Sequence, residues 1–450
     1  MPEESEEGEF VGSGGFRVAG RRALEVLRSA QLDRRFWRPL LWLRLAAALG
    51  ARKVSVTTRA TGVTFAWDGT PLDRALLEGP FALFGSEGEH PAARWLAYAL
   101  VHTASEGVTV RLSSGRGRER RAFEFDSTGR GVPAEHAPGN GTVVQVSWPL
   151  VVPTLKVPAQ GPWLWFQPAN KAGYPRLEEA DAVPFELTTP LGTVTPWERR
   201  KDPEAGLLTG YRRRVRVRLA PGPSRLTLHH HGVRVYGAEL GDLALPMSVD
   251  VDDPNLVLDG SLNAPVDGPD MQRSVAGGLA AAEKHGLRRL EHHAKTMRLT
   301  SGLLLSRPSL RRLWGLALLA EERVDRRVPW LIRAVNALTG GRRPSGDALR
   351  VVRAGEFTAY LRAAALGRLR GRAIDARDPL RKALWEAPLV FSATGRPLSL
   401  VDLDLDERPC SVWEKSSPAP AGAGAMMPWG LSSQDVAFIR RFPKRKARVG

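Results

Sequence analysis

Apolar residues recur along this chain with two periods, and the changes of period mark its elements. Gly20 to Leu32 has helical spacing, with Leu24, Val26 and Leu27 on or near one face. A second, denser apolar run from Phe36 to Leu49 predicts a helix that stops at Gly50, a usual residue just past a helix end. Alternation then takes over in KVSVTTR and GVTFAWDG, where β-branched and polar residues exchange places as strands require. Helical spacing returns from His90 to Ser105, opened by Pro91 at a first-turn position. GVTVRLSS, RAFEFDS and GTVVQVSW read as three further strands. This order predicts a helical layer packed on a mostly antiparallel sheet.

Beyond Pro149 the periodicity fades into a proline-rich stretch, read as a linker over 151–184. Its WLWF at Trp163 to Phe166 is too apolar for a free tether and is expected to dock on a domain surface. RRVRVRL, SRLTLHHHGVRVYG and MSVDVDD alternate cleanly and predict a β-rich region. After Pro269 helical patterns dominate, and a short α/β segment follows near Pro388 to Asp404. The expected organisation is a multidomain α+β protein. It has an acidic tail (1–18), an N-terminal α/β sandwich domain (19–150), the linker (151–184) and a β-rich α/β middle domain (185–268). A helical region (269–376), a small α/β segment (377–415) and a linker with a basic tail (416–450) complete it.

Composition narrows the function classes. A hydrophobic fraction of 43% and a charged fraction of 25% are ordinary for a globular protein of 450 residues. No run of roughly 18 apolar residues offers a membrane span. The acidic start MPEESEEGEF lacks the layout of a secretory signal, and the single cysteine, Cys410, suits a reducing compartment, so a cytoplasmic location is expected. A net charge of +17 attracts phosphates and acidic partners. The basic residues are mostly arginines spread along the whole chain, and no aromatic-basic recognition motif accompanies them.

LLWLRLAAALGARKVSV, followed by GVTFAWDG and later by GNGTVVQV, resembles the GHKL superfamily of ATPases, which includes the HtpG heat-shock chaperone, mismatch-repair ATPases and type II topoisomerases. Members carry a helix of the form E-L-x-x-N-A-x-D-A-G-A, a strand ending in D-x-G, a glycine-rich lid and a late G-T. Gly50-Ala51 matches the end of that helix, with Asp68-Gly69 at about the usual spacing after it. The resemblance implies that Asp68 accepts a hydrogen bond from the exocyclic amine of adenine. It further implies that Thr142, in the late Gly141-Thr142, lies beside the same base. Gly85 to Ala104 stands in place of the lid and its following helix. ATP or ADP is the ligand so implied. Read without the family, Asp68-Gly69 is a hairpin turn and Gly141-Thr142 a strand start.

The departures from the family pattern concern catalysis. Leu41 stands where the family's water-polarising glutamate would be, and Leu45 where its magnesium-binding asparagine would be. Leucine neither accepts a proton nor offers oxygen to a hard cation. The D-x-G-x-G loop is reduced to DGTP, and the lid is at best GSEGEH. Efficient hydrolysis is therefore not expected, and no catalytic residue is nominated. Val251 to Asn263, with Leu256, Leu258, Ser261 and Asn263, is similar to the V-V-D-S-x-D-L-P-L-N-x-S-R-E block of HtpG-type middle domains, without its arginine and glutamate.

Other clusters read more plainly. His229, His230 and His231 on a strand alternate faces, so at most two could share a metal, and an edge or surface strand is the expectation. His285, His292 and His293 belong to a solvated basic helix face. Asp250, Asp252 and Asp253 imitate a calcium loop without its glycine and distal glutamate. Glu87, Glu89 and His90 fit a hydrophilic lid loop, and Cys410 has no histidine motif. Lys444, Arg445, Lys446 and Arg448 form a tail that binds phosphates or solubilises. Three functions follow. The first is a degenerate HtpG-like scaffold or interaction module with a protein partner or client. The second is an active ATPase whose acid comes from Glu25 or Glu78. The third is a basic nucleic-acid-associated protein.

Overall fold

The computed structural model describes residues 38–59, 61–81, 91–104, 108–126, 131–135, 138–148, 179–190, 192–200, 205–209, 213–220, 222–241, 243–259, 262, 264–307, 309–318, 345–369, 378–392, 394–405 and 438–439. The chain divides into two compact units. The first comprises Met1–Arg200, His229–Val235 and Pro254–Val266; the second comprises Lys201–Leu228, Tyr236–Asp253 and Asp267–Gly450.

In the first unit, helix α1 (Arg38–Ala48) leads into the hairpin β1 (Lys53–Arg59) and β2 (Gly62–Trp67). A short helix α2 (Arg74–Glu78) and α3 (Pro91–Thr103) precede β3 (Thr109–Gly115), β4 (Arg121–Phe125), β5 (Gly131–Ala134) and β6 (Gly141–Ser147). β7 (Glu186–Thr189) and β8 (Gly192–Val194) complete a sheet of order β5-β4-β3-β6-β2-β1-β7-β8. Its pairs are antiparallel except β1 with β7. Period-two alternation puts Val63, Phe65 and Trp67 of β2 and Val110 and Leu112 of β3 on the buried face. Trp42 of α1 meets Phe65 at 6.4 Å between ring centroids and donates its Nε1–H to Thr103 Oγ1 of α3 at 3.2 Å. Those contacts tie both helices to one layer.

A second sheet, most of whose residues belong to the second unit, comprises β9 (Gly206–Thr209), β10 (Arg214–Leu219), β11 (Ser224–His230), β12 (Val233–Leu240) and β13 (Met247–Asp252), in the order β12-β11-β13-β10-β9. A 38-residue helix α4 (Pro269–Ser306) follows, then α5 (Leu310–Leu318), α6 (Gly346–Arg368) and α7 (Pro379–Glu386). The hairpin β14 (Pro388–Phe391) and β15 (Pro397–Ser399) and a short helix α8 (Leu400–Leu405) follow. Met297, Leu304, Trp314, Val351 and Phe391 share one core, drawn from α4, α5, α6 and β14.

The architecture is α+β, as expected, with β-rich and helical regions in the anticipated order. Three readings are corrected. β7 and β8, expected to open the middle domain at 185, join the first sheet instead, because the backbone of β7 pairs with the open edge of β1. The histidine run is neither an edge nor a surface strand. β11 has neighbours on both sides, His229 and His230 are buried, and His231 leaves the strand at φ 51°. With Gly232 at φ 79° it forms the tight loop to β12, a conformation that suits two-residue hairpins. On α4, His292 is exposed as a solvated face would have it, but His293 is only 1% exposed. Among the described residues, no helix is long and apolar enough to cross a membrane. The helix expected at Gly20–Leu32, the WLWF stretch, Glu25, Glu87, Glu89, His90, Cys410 and the basic tail lie outside the described residues.

Candidate functional site

The nominated residues Asp68, Gly69, Gly141 and Thr142 meet at the C-terminal end of β2. Trp67 pairs with Thr142 in the β2–β6 register. A Cβ on Gly141 would fall 2.4 Å from Trp67 O, and its φ of 88° suits glycine. Asp68 and Gly69 lie between β2 and α2, not in a hairpin. Gly69, at φ 127°, lets the turn press against the end of α1, where a Cβ would stand 2.9 Å from Leu49 O. The turn at Asp68 and Gly69 thus lies against Leu49 and Ala51.

Asp68 Oδ1 and the hydroxyl of Thr142 already have structural partners. Asp68 Oδ1 accepts from the backbone N–H of Arg52 at 2.7 Å and of Lys53 at 2.8 Å, and Thr70 N–H donates back to Leu49 O at 2.9 Å. This clasp closes the α1–β1 connection. Thr142 Oγ1 and Ser114 Oγ are 2.8 Å apart, and Ser114 Oγ accepts from Leu72 N–H at 2.9 Å. Both hydroxyls are buried and mutually satisfied, as buried polar groups must be. Beside them the Trp67 Nε1–H is buried without a hydrogen-bond partner.

Helix α1 forms the wall over this region and is buried all round. Every residue from Leu40 to Ala46 is at most 4% exposed, Leu41 and Leu45 among them. A helix buried on every side, and apolar there except for Arg44, belongs to a core. A magnesium triphosphate needs oxygen ligands and cationic or amide donors, which this leucine-rich wall does not supply. The residues present do not fit that group. Glu78, the described candidate for an alternative acid, is exposed on α2 and ion-paired with Arg74 at 2.5 Å.

One feature of α1 escaped the sequence reading. Arg44, buried at 1% exposure, donates Nη1–H to Leu262 O at 3.0 Å and lies 5.0 Å from the Trp95 ring. Its Nε and Nη2 have no hydrogen-bond partner, and burial pushes the guanidinium down to about 9, still protonated at neutral pH. Trp95 in turn packs on His230 at 5.1 Å, and His230 on His231 at 4.5 Å. Burial, and then the charges of His231, Arg44 and Arg94, hold His230 well below the ordinary imidazole value, so it is neutral. An arginine inside an otherwise apolar helical run was the available signal; periodicity alone counts it as an interruption.

The remaining clusters are structural. Arg213 meets Asp253 at 2.7 Å, Arg214 pairs with Asp252, and Arg218 meets Asp250 at 3.2 Å, so the aspartates serve arginines instead of a cation. Ser274 also donates to Asp253, at 2.6 Å. No group of three or more His, Cys, Asp or Glu side chains is placed to hold a metal among the described residues.

No family model and no curated protein matches this sequence. Among solved structures, the chain is similar to the ATPase region of Saccharomyces cerevisiae topoisomerase II. That match has 8% identity, covers 51% of this chain and 75% of that one, and has a TM-score of 0.33. It is also similar to the B-subunit of the DNA gyrase from Myxococcus xanthus, at 13% identity, over 58% of this chain and 94% of that one, with a TM-score of 0.37. Likeness at this level speaks to neither activity nor partner.

Proposed function

We propose that the first unit is a GHKL-type domain retired from ATP hydrolysis, and that the protein serves as a scaffold or interaction module for protein partners. The observation that carries this reading is the all-round burial of α1, with leucines at positions 41 and 45. The helix–strand order, the meeting of Asp68, Gly69, Gly141 and Thr142, and the parallel β7 on β1 support the family kinship. The loss of both a proton acceptor and a metal ligand from α1 supports the retirement, since each supplies several kcal/mol of barrier lowering in working enzymes. The chaperone-type, HtpG-like version rests on Val251–Asn263 alone. There Leu256, Leu258 and Leu262 are buried, while Ser261 and Asn263 lie outside the described residues.

The deciding experiment is calorimetric titration of the full chain with ATP and ADP, with and without magnesium, beside a phosphate-release assay. The expected result is no magnesium-dependent turnover. Phosphate release that disappears in Asp68→Asn would overturn the reading and restore an active ATPase. A nucleotide that binds without turnover would raise the melting temperature with occupancy and leave the scaffold role intact.

A further inference from the structure

The second unit contains a cleft of about 1640 Å³, larger than the roughly 300–1,000 Å³ that small-molecule sites occupy. Two helices form most of it. On α4 its lining recurs at Arg289, His292, His293, Thr296, Leu299 and Leu303; on α6 it runs from Arg350 to Arg368. Both sets follow the i, i+3, i+4, i+7 spacing of a helix face that expects a partner. Leu299 is 70% exposed on this face, the most exposed of the large hydrophobic side chains among the described residues. Small and apolar residues of α6, Ala359, Ala363 and Ala364, continue the floor.

Charge marks the rim. Arg289, Arg350, Arg353 and Arg368 line the cleft against a single carboxylate, Glu356. Arg350 reaches only a loose pairing with Asp347, at 3.9 Å, and among the described residues Arg289 and Arg353 have no carboxylate partner. Arg289 instead covers the Phe357 ring at 4.9 Å, with its Nε buried and unpartnered. His293 lies deeper still. Its Nε2 is bonded to Pro388 O at 2.9 Å, which leaves Nδ1 an unpartnered acceptor.

We propose that this cleft is the docking groove for an acidic amphipathic helix of a partner protein. The α4 stretch from Arg289 to Leu303 runs ~21 Å and the α6 stretch from Arg350 to Arg368 ~27 Å. Apolar side chains of the incoming helix would cover Leu299 and the alanines, and its flanking carboxylates would meet the arginine rim, the helix-in-groove mode of recognition. A nucleic-acid strand fits less well, because stacking needs free aromatic faces. Here Phe357 lies under Arg289 and is stacked on Tyr360 at 12°, whose hydroxyl donates to Pro246 O. A second copy of the chain fits less well too, since each copy carries a net charge of +17. The groove is independent of nucleotide chemistry in the first unit, so either reading can fail alone.

The test uses the full chain and labelled synthetic helical peptides about 16 residues long, a span set by the groove length. One peptide has leucines on one face and glutamates elsewhere; a second replaces the glutamates by lysines; a third scrambles the first. The expected result in fluorescence polarisation is binding of the first peptide at least tenfold tighter than the other two. Leu299→Asp and, separately, Arg353→Glu should each weaken it at least tenfold, with circular dichroism unchanged because both positions are exposed. If Leu299→Asp disturbs the fold, Arg353→Glu decides. Equal binding of the glutamate and lysine peptides, indifference to Arg353→Glu, or displacement of the peptide by a tighter-binding single-stranded oligonucleotide would each sink the proposal.

Discussion

The helix layer of the first unit and the helix pair of the second treat the same material in opposite ways. In the first, α1 is buried on every side, and polar groups at the end of β2 are spent on the backbone and on one another. In the second, α4 and α6 leave a leucine and several arginines facing an open cleft. Asp68 Oδ1, Ser114 and Thr142 are internally committed and Trp67 Nε1–H and part of Arg44 are not, whereas exposed apolar surface rimmed by charge is what interaction sites offer. The contrast sets the proposed docking groove on α4 and α6, and gives Asp68, Gly69, Gly141 and Thr142 structural contacts.

The sharpest way to break this contrast is to place a proton acceptor and a metal ligand on α1. Leu41→Glu combined with Leu45→Asn should destabilise the first unit by on the order of 4 kcal/mol, since two polar groups would enter a dry apolar interface. Urea unfolding measures the loss. A folded double variant that hydrolyses magnesium–ATP would mean that α1 lines a usable pocket.

Next in size is the pH response of the second unit. Burial pushes His293 down to about 4 from an ordinary 6.5. The unfolded chain therefore takes up a proton before the folded chain does. Its contribution is fully present above pH 6.5, falls as the pH drops toward 4, and is flat below that, a loss on the order of 3 kcal/mol. His230 in the first unit has the same sign. Urea midpoints followed between pH 7 and pH 4.5 should decline in wild type and decline less steeply in His293→Asn. Parallel slopes would show that the buried imidazole is not the source.

Gly69→Ala should cost roughly 1–3 kcal/mol, because alanine is strained at φ 127° and would crowd Leu49 O. Asp68→Ala should cost about 1–2 kcal/mol through the two amides it leaves unpaired. A thermal-unfolding comparison checks both, and an effect confined to nucleotide binding with no change in stability would reverse the structural assignment of that clasp. The smallest effect tests the other half of the contrast. Leu299→Asp should shift stability by no more than about 0.5 kcal/mol, since the side chain is already in solvent.

Much of the first unit was legible from patterning. The runs KVSVTTR, GVTFAWDG and GTVVQVSW became β1, β2 and β6, and the apolar run ending at Gly50 became α1. The order of Asp68-Gly69 and Gly141-Thr142 foretold that they would meet. Their hydrogen-bond partners were not legible, because the amides of Arg52 and Lys53 and the hydroxyl of Ser114 come from other elements. β7 and β8 were assigned to the wrong sheet, since a strand's sequence records its alternation and not which edge it will pair with. The aspartates of β13 looked like a calcium loop until the register set arginines of β10 opposite them.

The sequence by itself determined most of the elements, the α+β class and the leucines of α1, because periodicity and residue chemistry are local properties. Only the tertiary structure decided that Arg44 and His293 are buried, that Asp68 closes a chain connection, and that α4 and α6 share a cleft. Burial and partnership depend on residues tens to hundreds of positions apart, and no local pattern encodes them.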